Sequence, residues 1–151
     1  MLLFLRLIEN SLQKTTIYNI LIEKKLDLWY DKLLNAISKY QDRGGKGHAM
    51  TIEKMENGKE ITLMPVGRLD TTTAPQLEAE INACIARTET ERLMLDFQGL
   101  EYLSSAGLRI LLTAHKAFMK RDGGKMTICH VNETIREVFE VTGFLDILNI
   151  E

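Results

Sequence analysis

Two short runs of alternating apolar and polar residues, Thr51–Met55 and Glu60–Val66, flank Glu56-Asn57-Gly58-Lys59. Alternation predicts half-buried strands, and Asn-Gly between them predicts a hairpin with a type I′ turn centred on that pair. The period then changes. Leu77, Ile81, Cys84 and Ile85 recur at helical spacing behind Thr71-Thr72-Thr73 and Ala74-Pro75, which offer hydroxyl caps and a proline suited to a first turn. This helix is expected to end near Arg87. Arg92–Phe97 predicts a buried strand closed by Gly99, and a short loop follows it. Ser104-Ser105-Ala106-Gly107 then leads into Leu108–Arg121, where Leu108, Leu111, Leu112, His115, Phe118 and Met119 share one side. Asp122-Gly123-Gly124 ends that helix, Lys125–Val131 predicts a strand, and Asn132 is placed to cap Glu133–Thr142. Ile135, Val138 and Phe139 form the buried side of this last helix, and Gly143 stops it. Phe144–Ile150 is an apolar tail compatible with strand or helix. The order β-β-α-β-α-β-α predicts an α/β fold: a mixed sheet of four to five strands, with an antiparallel hairpin edge and parallel strands joined by three to four helices.

Residues 1–41 carry a different pattern. Leu12, Ile17, Ile20 and Leu21, then Leu26, Trp29, Leu33, Leu34 and Ile37, recur every three or four positions and predict one or two amphipathic helices. Charge divides at the same place. Residues 1–49 hold 8 Lys/Arg against 5 Asp/Glu, whereas residues 50–151 hold 11 against 16. The expected organisation is therefore an amino-terminal extension, 1–49, and one domain, 50–151. Two readings of the extension stand side by side. It is a genuine basic helical segment, or Met50 is the native start and Gly44-Gly45-Lys46 reflects the purine-rich codons of a ribosome-binding sequence. Intact mass of the protein expressed from its native locus separates them.

Composition narrows the function classes. A chain of 151 residues with a net charge of −2 lacks the basic excess of a general nucleic-acid binder. Cys84 and Cys129 form no CxxC, and His48, His115 and His130 are dispersed without HxxxH or HExxH spacing. No metal site, cofactor or disulfide scaffold is expected, and two free thiols suit a reducing cytoplasm. The apolar start is too short and too soon charged for a signal peptide, and no run approaches the roughly 20 apolar residues of a membrane span. Gly44-Gly45-Lys46-Gly47 lacks the earlier glycine and following hydroxyl of a phosphate-binding loop. Asp70 and Asp96 fit turn ligands at strand ends better than an acid–base pair, and no other catalytic set stands out. A binding protein is expected rather than an enzyme.

What remains is Leu103-Ser104-Ser105-Ala106-Gly107-Leu108-Arg109. Two hydroxyls meet the positive end of a helix, where unpaired backbone N–H groups favour an anion. By elementary chemistry one serine is a cap and the other a filler, or one accepts a phosphate of about −1.5 to −2 charge. Four features in order extend this. Gly67-Arg68-Leu69-Asp70, Leu95-Asp96-Phe97, Tyr102-Leu103-Ser104-Ser105-Ala106-Gly107-Leu108-Arg109 and Gly123-Gly124 together resemble a STAS domain (sulfate transporter and anti-sigma factor antagonist) of the free-standing bacterial anti-sigma factor antagonist type. The resemblance covers 50–151 and none of 1–49.

The resemblance implies a partner switch. The unphosphorylated protein binds an anti-sigma factor that is also a serine/threonine kinase. Phosphorylation ends binding, and a serine phosphatase restores it. The implied acceptor is Ser105, with Ser104 second. The implied partner-binding residues are Asp70, Leu103, Ser104, Ala106, Gly107, Leu108 and Arg109, with Leu103, Ala106 and Leu108 forming a small apolar contact. This chain departs from the family where Asp often precedes the acceptor and Ser or Thr follows it: here Ser104 and Ala106 stand there. The alternative is a constitutive STAS scaffold of a transporter or lipid-trafficking complex with no phosphorylation cycle. A nucleotide-binding STAS module and a small flavodoxin-like enzyme find no cofactor loop to support them. No nucleic acid is expected as a partner, and no membrane for the domain.

Overall fold

The hairpin expected at the start forms, but its turn lies one residue later than the Asn-Gly pair suggests. The computed structural model describes Lys24 and residues 49–151. The helical pattern of residues 1–41 falls outside the described residues except at Lys24, which is helical. Strands β1 (Thr51–Asn57) and β2 (Glu60–Leu69) pair antiparallel from Thr51↔Val66 to Asn57↔Glu60. The two loop residues are therefore Gly58 and Lys59, and only Gly58 has positive φ, at 62°. That is the type II′ pattern, with glycine first, because Asn57 is already held extended in the ladder.

Helix α1 (Ala74–Ala86), strand β3 (Arg92–Asp96), strand β4 (Leu100–Leu103), helix α2 (Ser105–Met119), strand β5 (Lys125–Cys129) and helix α3 (Glu133–Thr142) follow. A 3-10 turn (Phe144–Asp146) and strand β6 (Asn149–Ile150) complete the described chain. The sheet runs β1-β2-β3-β5-β6, with β4 paired to β2, and every pair except the hairpin is parallel. The mixed α/β sheet with an antiparallel edge is thus the observed class. Two short strands enlarge it to six. β6 resolves the ambiguous tail into a turn followed by an edge strand.

β4 arises where a loop is expected. β2 pairs β3 over Glu60–Leu63 and β4 over Gly67–Leu69, with a register shift between Gly67 and Arg68 inside the second pairing. The break between β3 and β4 is made by Asp96, whose Oδ1 accepts the Gln98 N–H at 2.9 Å, and by Leu100 N–H donating to the Phe97 carbonyl at 3.0 Å. Four residues with no sustained alternation carry no strand signal of their own. Their extended form comes from the free end of β2.

Alternate residues of the strands enter the core: Ile61, Leu63, Leu93, Leu95 and Ile128 are buried. They meet Leu77, Ile81 and Cys84 of α1, and Leu111 and Phe118 of α2, at the spacing that predicts both helices. His115 shares that side half-buried, and burial pushes its imidazole pKa down. Asn132 caps α3 as expected: its Oδ1 accepts from Ile135 N–H at 2.9 Å, while its Nδ2 donates to the Leu100 carbonyl of β4 at 2.7 Å.

The carboxyl end of α1 has no basic residue in its last turn. Arg121, just past α2, takes that role. Its guanidinium donates to the carbonyls of Arg87 (2.9 Å), Thr90 (2.8 Å) and Ile85. Arg121→Ala is expected to lower stability by about 1.5–3 kcal/mol, because the orphaned carbonyls lose charged donors. Arg121→Lys should restore only part of this, since one ammonium cannot reproduce a planar fork. Urea unfolding of the three proteins tests the order.

Candidate functional site

The register of β2 and β4 builds the site. Leu69 pairs with Leu103, and Ser104 N–H donates to the Leu69 carbonyl at 2.8 Å. The turn that leaves β2 at Asp70 and the turn that enters α2 at Ser104 are therefore side by side, although 34 residues separate them in sequence.

Asp70 organises the first turn. Its Oδ1 accepts from Thr72 N–H (2.9 Å), Thr72 Oγ1 (2.7 Å) and Thr73 N–H (3.2 Å). Thr73 stands at the α1 cap position but makes no side-chain cap bond. Its hydroxyl instead donates to the Arg68 carbonyl (2.7 Å) and accepts from Asp70 N–H (2.9 Å). The expected threonine cap is thus replaced by a closed Asp-Thr-Thr network. At 6% exposure, Asp70 serves chiefly as a loop organiser.

The Thr72 hydroxyl bond, helped by the two backbone N–H groups, holds the Asp70 carboxyl below its ordinary range despite burial. A carboxylate with a depressed folded-state pKa contributes stability that is complete above its unfolded value, 3.8, and is lost as pH falls through the lower folded value. Asp70→Asn keeps an acceptor without the charge. The melting-temperature gap between wild type and this variant is expected to narrow between about pH 6 and pH 2. A gap independent of pH would refute the role.

The two serines separate cleanly. Ser104 is the cap of α2: its Oγ accepts from Gly107 N–H at 3.4 Å, and the residue is 6% exposed. Ser105 is the first helical residue, partly exposed, and forms no hydrogen bond through its hydroxyl to another described residue. The first turn of α2 contains no acidic residue, so the positive end of the helix is uncompensated. The first backbone N–H bonded to a carbonyl of the helix is that of Leu108, to Ser104 at 3.0 Å, so the N–H groups of Ser105 and Ala106 have no intrahelical acceptor.

The small apolar contact expected of Leu103, Ala106 and Leu108 needs correction. Leu103 is 5% and Leu108 2% exposed, so both side chains pack inward. Gly107 is buried beneath them. A Cβ there would stand 2.6 Å from Leu103 Cδ1 and 2.8 Å from Leu69 Cγ, so glycine allows the helix start to approach β2 and β4. These three residues hold the site rather than present it. Ser105, partly exposed Ala106 and exposed Arg109 form its outer surface. Arg68 and Tyr102 join them. They are cross-strand partners, with the guanidinium 3.9 Å from the ring centroid. Both lie in the quoted motifs, but their pairing depends on a strand that no local pattern announces.

Elsewhere, Asp96 makes a turn bond to Gln98 N–H and takes His130 Nδ1 at 3.0 Å from its Oδ1. β5 ends at Cys129, so His130 lies beyond the strand expected to contain it. The thiols of Cys84 and Cys129 are free, and burial pushes both pKa values up. Among the described residues, no helix is long and apolar enough to cross a membrane.

Residues 51–151 match the family model described as STAS domain. The chain is 39% identical over 101 residues to "Putative anti-sigma factor antagonist BtrV" of Bordetella bronchiseptica, covering 67% of this chain and 84% of that relative. An anti-sigma factor antagonist from Mycobacterium paratuberculosis, known by crystal structure, aligns with a TM-score of 0.61 at 24% identity, over 68% of this chain and 85% of that one. The Bacillus cell fate determinant SpoIIAA in its phosphorylated form aligns with a TM-score of 0.54 at 20% identity, over 68% and 91% of the two chains.

Proposed function

The chain belongs to the STAS domain family, and on that premise we propose that it is an anti-sigma factor antagonist whose working unit is residues 50–151. Unphosphorylated, it binds an anti-sigma factor serine/threonine kinase through the surface around Ser105, Ala106 and Arg109, with the Asp70 turn as its support. Phosphorylation of Ser105 ends that binding, and a serine phosphatase reverses it. Its role is regulatory, and ATP belongs to the partner.

The observation that carries this reading is the division of labour between adjacent serines. The cap function is filled by buried Ser104, which leaves the Ser105 hydroxyl partly exposed at an uncompensated helix start. The relatives named above support the general role.

A phosphate on Ser105 would place about −1.5 to −2 charge at the helix end. There the dipole and free N–H groups stabilise it in the free protein. In a complex the same dianion must be desolvated, or must face the partner's acidic groups. Both effects favour release, and neither requires the backbone to move.

The test is incubation with ATP and a candidate anti-sigma factor kinase, followed by mapping of the phosphate. The expected result is modification at Ser105 and loss of the complex. Stable binding with no phosphate incorporated would instead support the constitutive scaffold.

A further inference from the structure

We propose that Asp96, Cys129 and His130 form a binding site for a zinc-type divalent transition metal, leaving a fourth coordination position open. Neither the phosphorylation reading nor the family resemblance enters the argument. One donor atom from each side chain lies within 4.8 Å of the other two.

Parallel register brings the first two together. β3 and β5 are neighbours, and Asp96 and Cys129 are Cα partners at their carboxyl ends. Partners in adjacent strands project to the same face, so carboxylate and thiol stand side by side. His130 would project to the opposite face if the strand continued. Its φ of 54° breaks that alternation, and Nδ1 comes within 3.0 Å of Asp96 Oδ1. Three residues without any metal-binding spacing in sequence thus converge.

The donor set selects the metal class. Calcium and magnesium take oxygen ligands, and copper(I) favours sulfur alone, whereas one carboxylate, one imidazole and one thiolate suit zinc. Metal–ligand bonds of about 2.0–2.3 Å around a tetrahedral centre bring donors roughly 3.5 Å apart, so side-chain rotation suffices to close the site. The His130 side chain is 63% exposed and that of Asp96 18%, which leaves a route from solvent. On binding, the Cys129 S–H bond breaks, its proton goes to solvent, and the thiolate bonds to the metal. No electron is transferred.

Titration of the chelator-treated full chain with cobalt(II), a spectroscopic substitute for zinc, tests the site. One equivalent should produce a thiolate-to-cobalt charge-transfer band in the near ultraviolet, and zinc should abolish it by displacement. Cys129→Ala should eliminate the band, while Cys84→Ala should retain it. His130→Asn suits the positive φ, since asparagine tolerates that region. It should weaken cobalt binding by about tenfold or more. Circular dichroism of each variant establishes that it is folded. Absence of a stoichiometric band in the wild type, or a band that survives Cys129→Ala, overturns the proposal and leaves Asp96 and His130 a close carboxylate–imidazole pair. The readout needs no kinase, so its failure would not bear on Ser105.

Discussion

Ser105→Asp is expected to weaken binding to the kinase partner about tenfold to a hundredfold, with little change in stability. Ser105 begins α2, partly exposed and without a side-chain hydrogen bond to a described residue, so replacing it removes no internal contact. A carboxylate at the first helical position is stabilised by the dipole, by roughly 0.3–1 kcal/mol. At an interface the same charge is unfavourable, because like-charge juxtaposition or an unpaired desolvated carboxylate costs several kcal/mol, and each 1.4 kcal/mol is about tenfold in affinity. Aspartate carries about half the charge of the phosphate, so true phosphorylation should have the larger effect. Ser105→Ala should bind like the unmodified protein and resist release by ATP. Ser104→Ala supplies the contrast. It should lose about 0.5–1 kcal/mol of stability with the cap, at the low end because the bond is long, and still accept phosphate. Calorimetric binding and phosphate mapping on the three variants decide the matter. Unchanged affinity of Ser105→Asp, with phosphate found elsewhere, would sink the assignment.

Gly124→Ala is expected to be the most destabilising single methyl addition in the described chain, by about 3 kcal/mol or more. A Cβ on Gly124 would stand 2.2 Å from the Phe118 carbonyl oxygen and 2.8 Å from Arg121 Cβ. The first obstacle is backbone, at the end of α2, and rotating a side chain cannot relieve it. Neither end of the turn is free to shift. Gly124 N–H donates to the Arg121 carbonyl at 3.1 Å, and Lys125 N–H donates to the Glu91 carbonyl at 2.9 Å as β5 begins. Displacing this turn would also disturb Arg121, whose guanidinium holds the end of α1. Gly123→Ala is the internal comparison. It meets nothing within 4 Å but keeps a φ of +70°, so it should cost about 1–2 kcal/mol. Urea midpoints at unchanged m value measure both. Equal midpoints for Gly124→Ala and wild type would refute the steric account.

Much of this molecule is legible along the chain because the signals are local. The spacing of Leu77, Ile81 and Cys84, the cap at Asn132 and the stop at Gly143 act within a few residues, and each element appears where its pattern lies. The candidate site was only half legible. The motif locates two serines at a helix start, but it cannot say which one is buried. That depends on Leu69 pairing with Leu103, through a strand formed where β2, after its last β3 pair at Leu63, takes β4 as its partner from Gly67. The same pairing turns Leu103 and Leu108 inward, against the expectation of an apolar contact surface.

The sequence by itself therefore determined the class of fold, the order of helices, and the short segment that holds the candidate switch. These follow from hydrophobic period and end caps, which neighbouring residues settle among themselves. Only the tertiary structure decided which serine is the buried cap, how the Asp70 turn comes to stand beside Ser104, and that Asp96, Cys129 and His130 share one corner. The physical reason is register. Parallel strands align residues far apart in sequence, and exposure is set by whatever packs opposite, which no local pattern encodes.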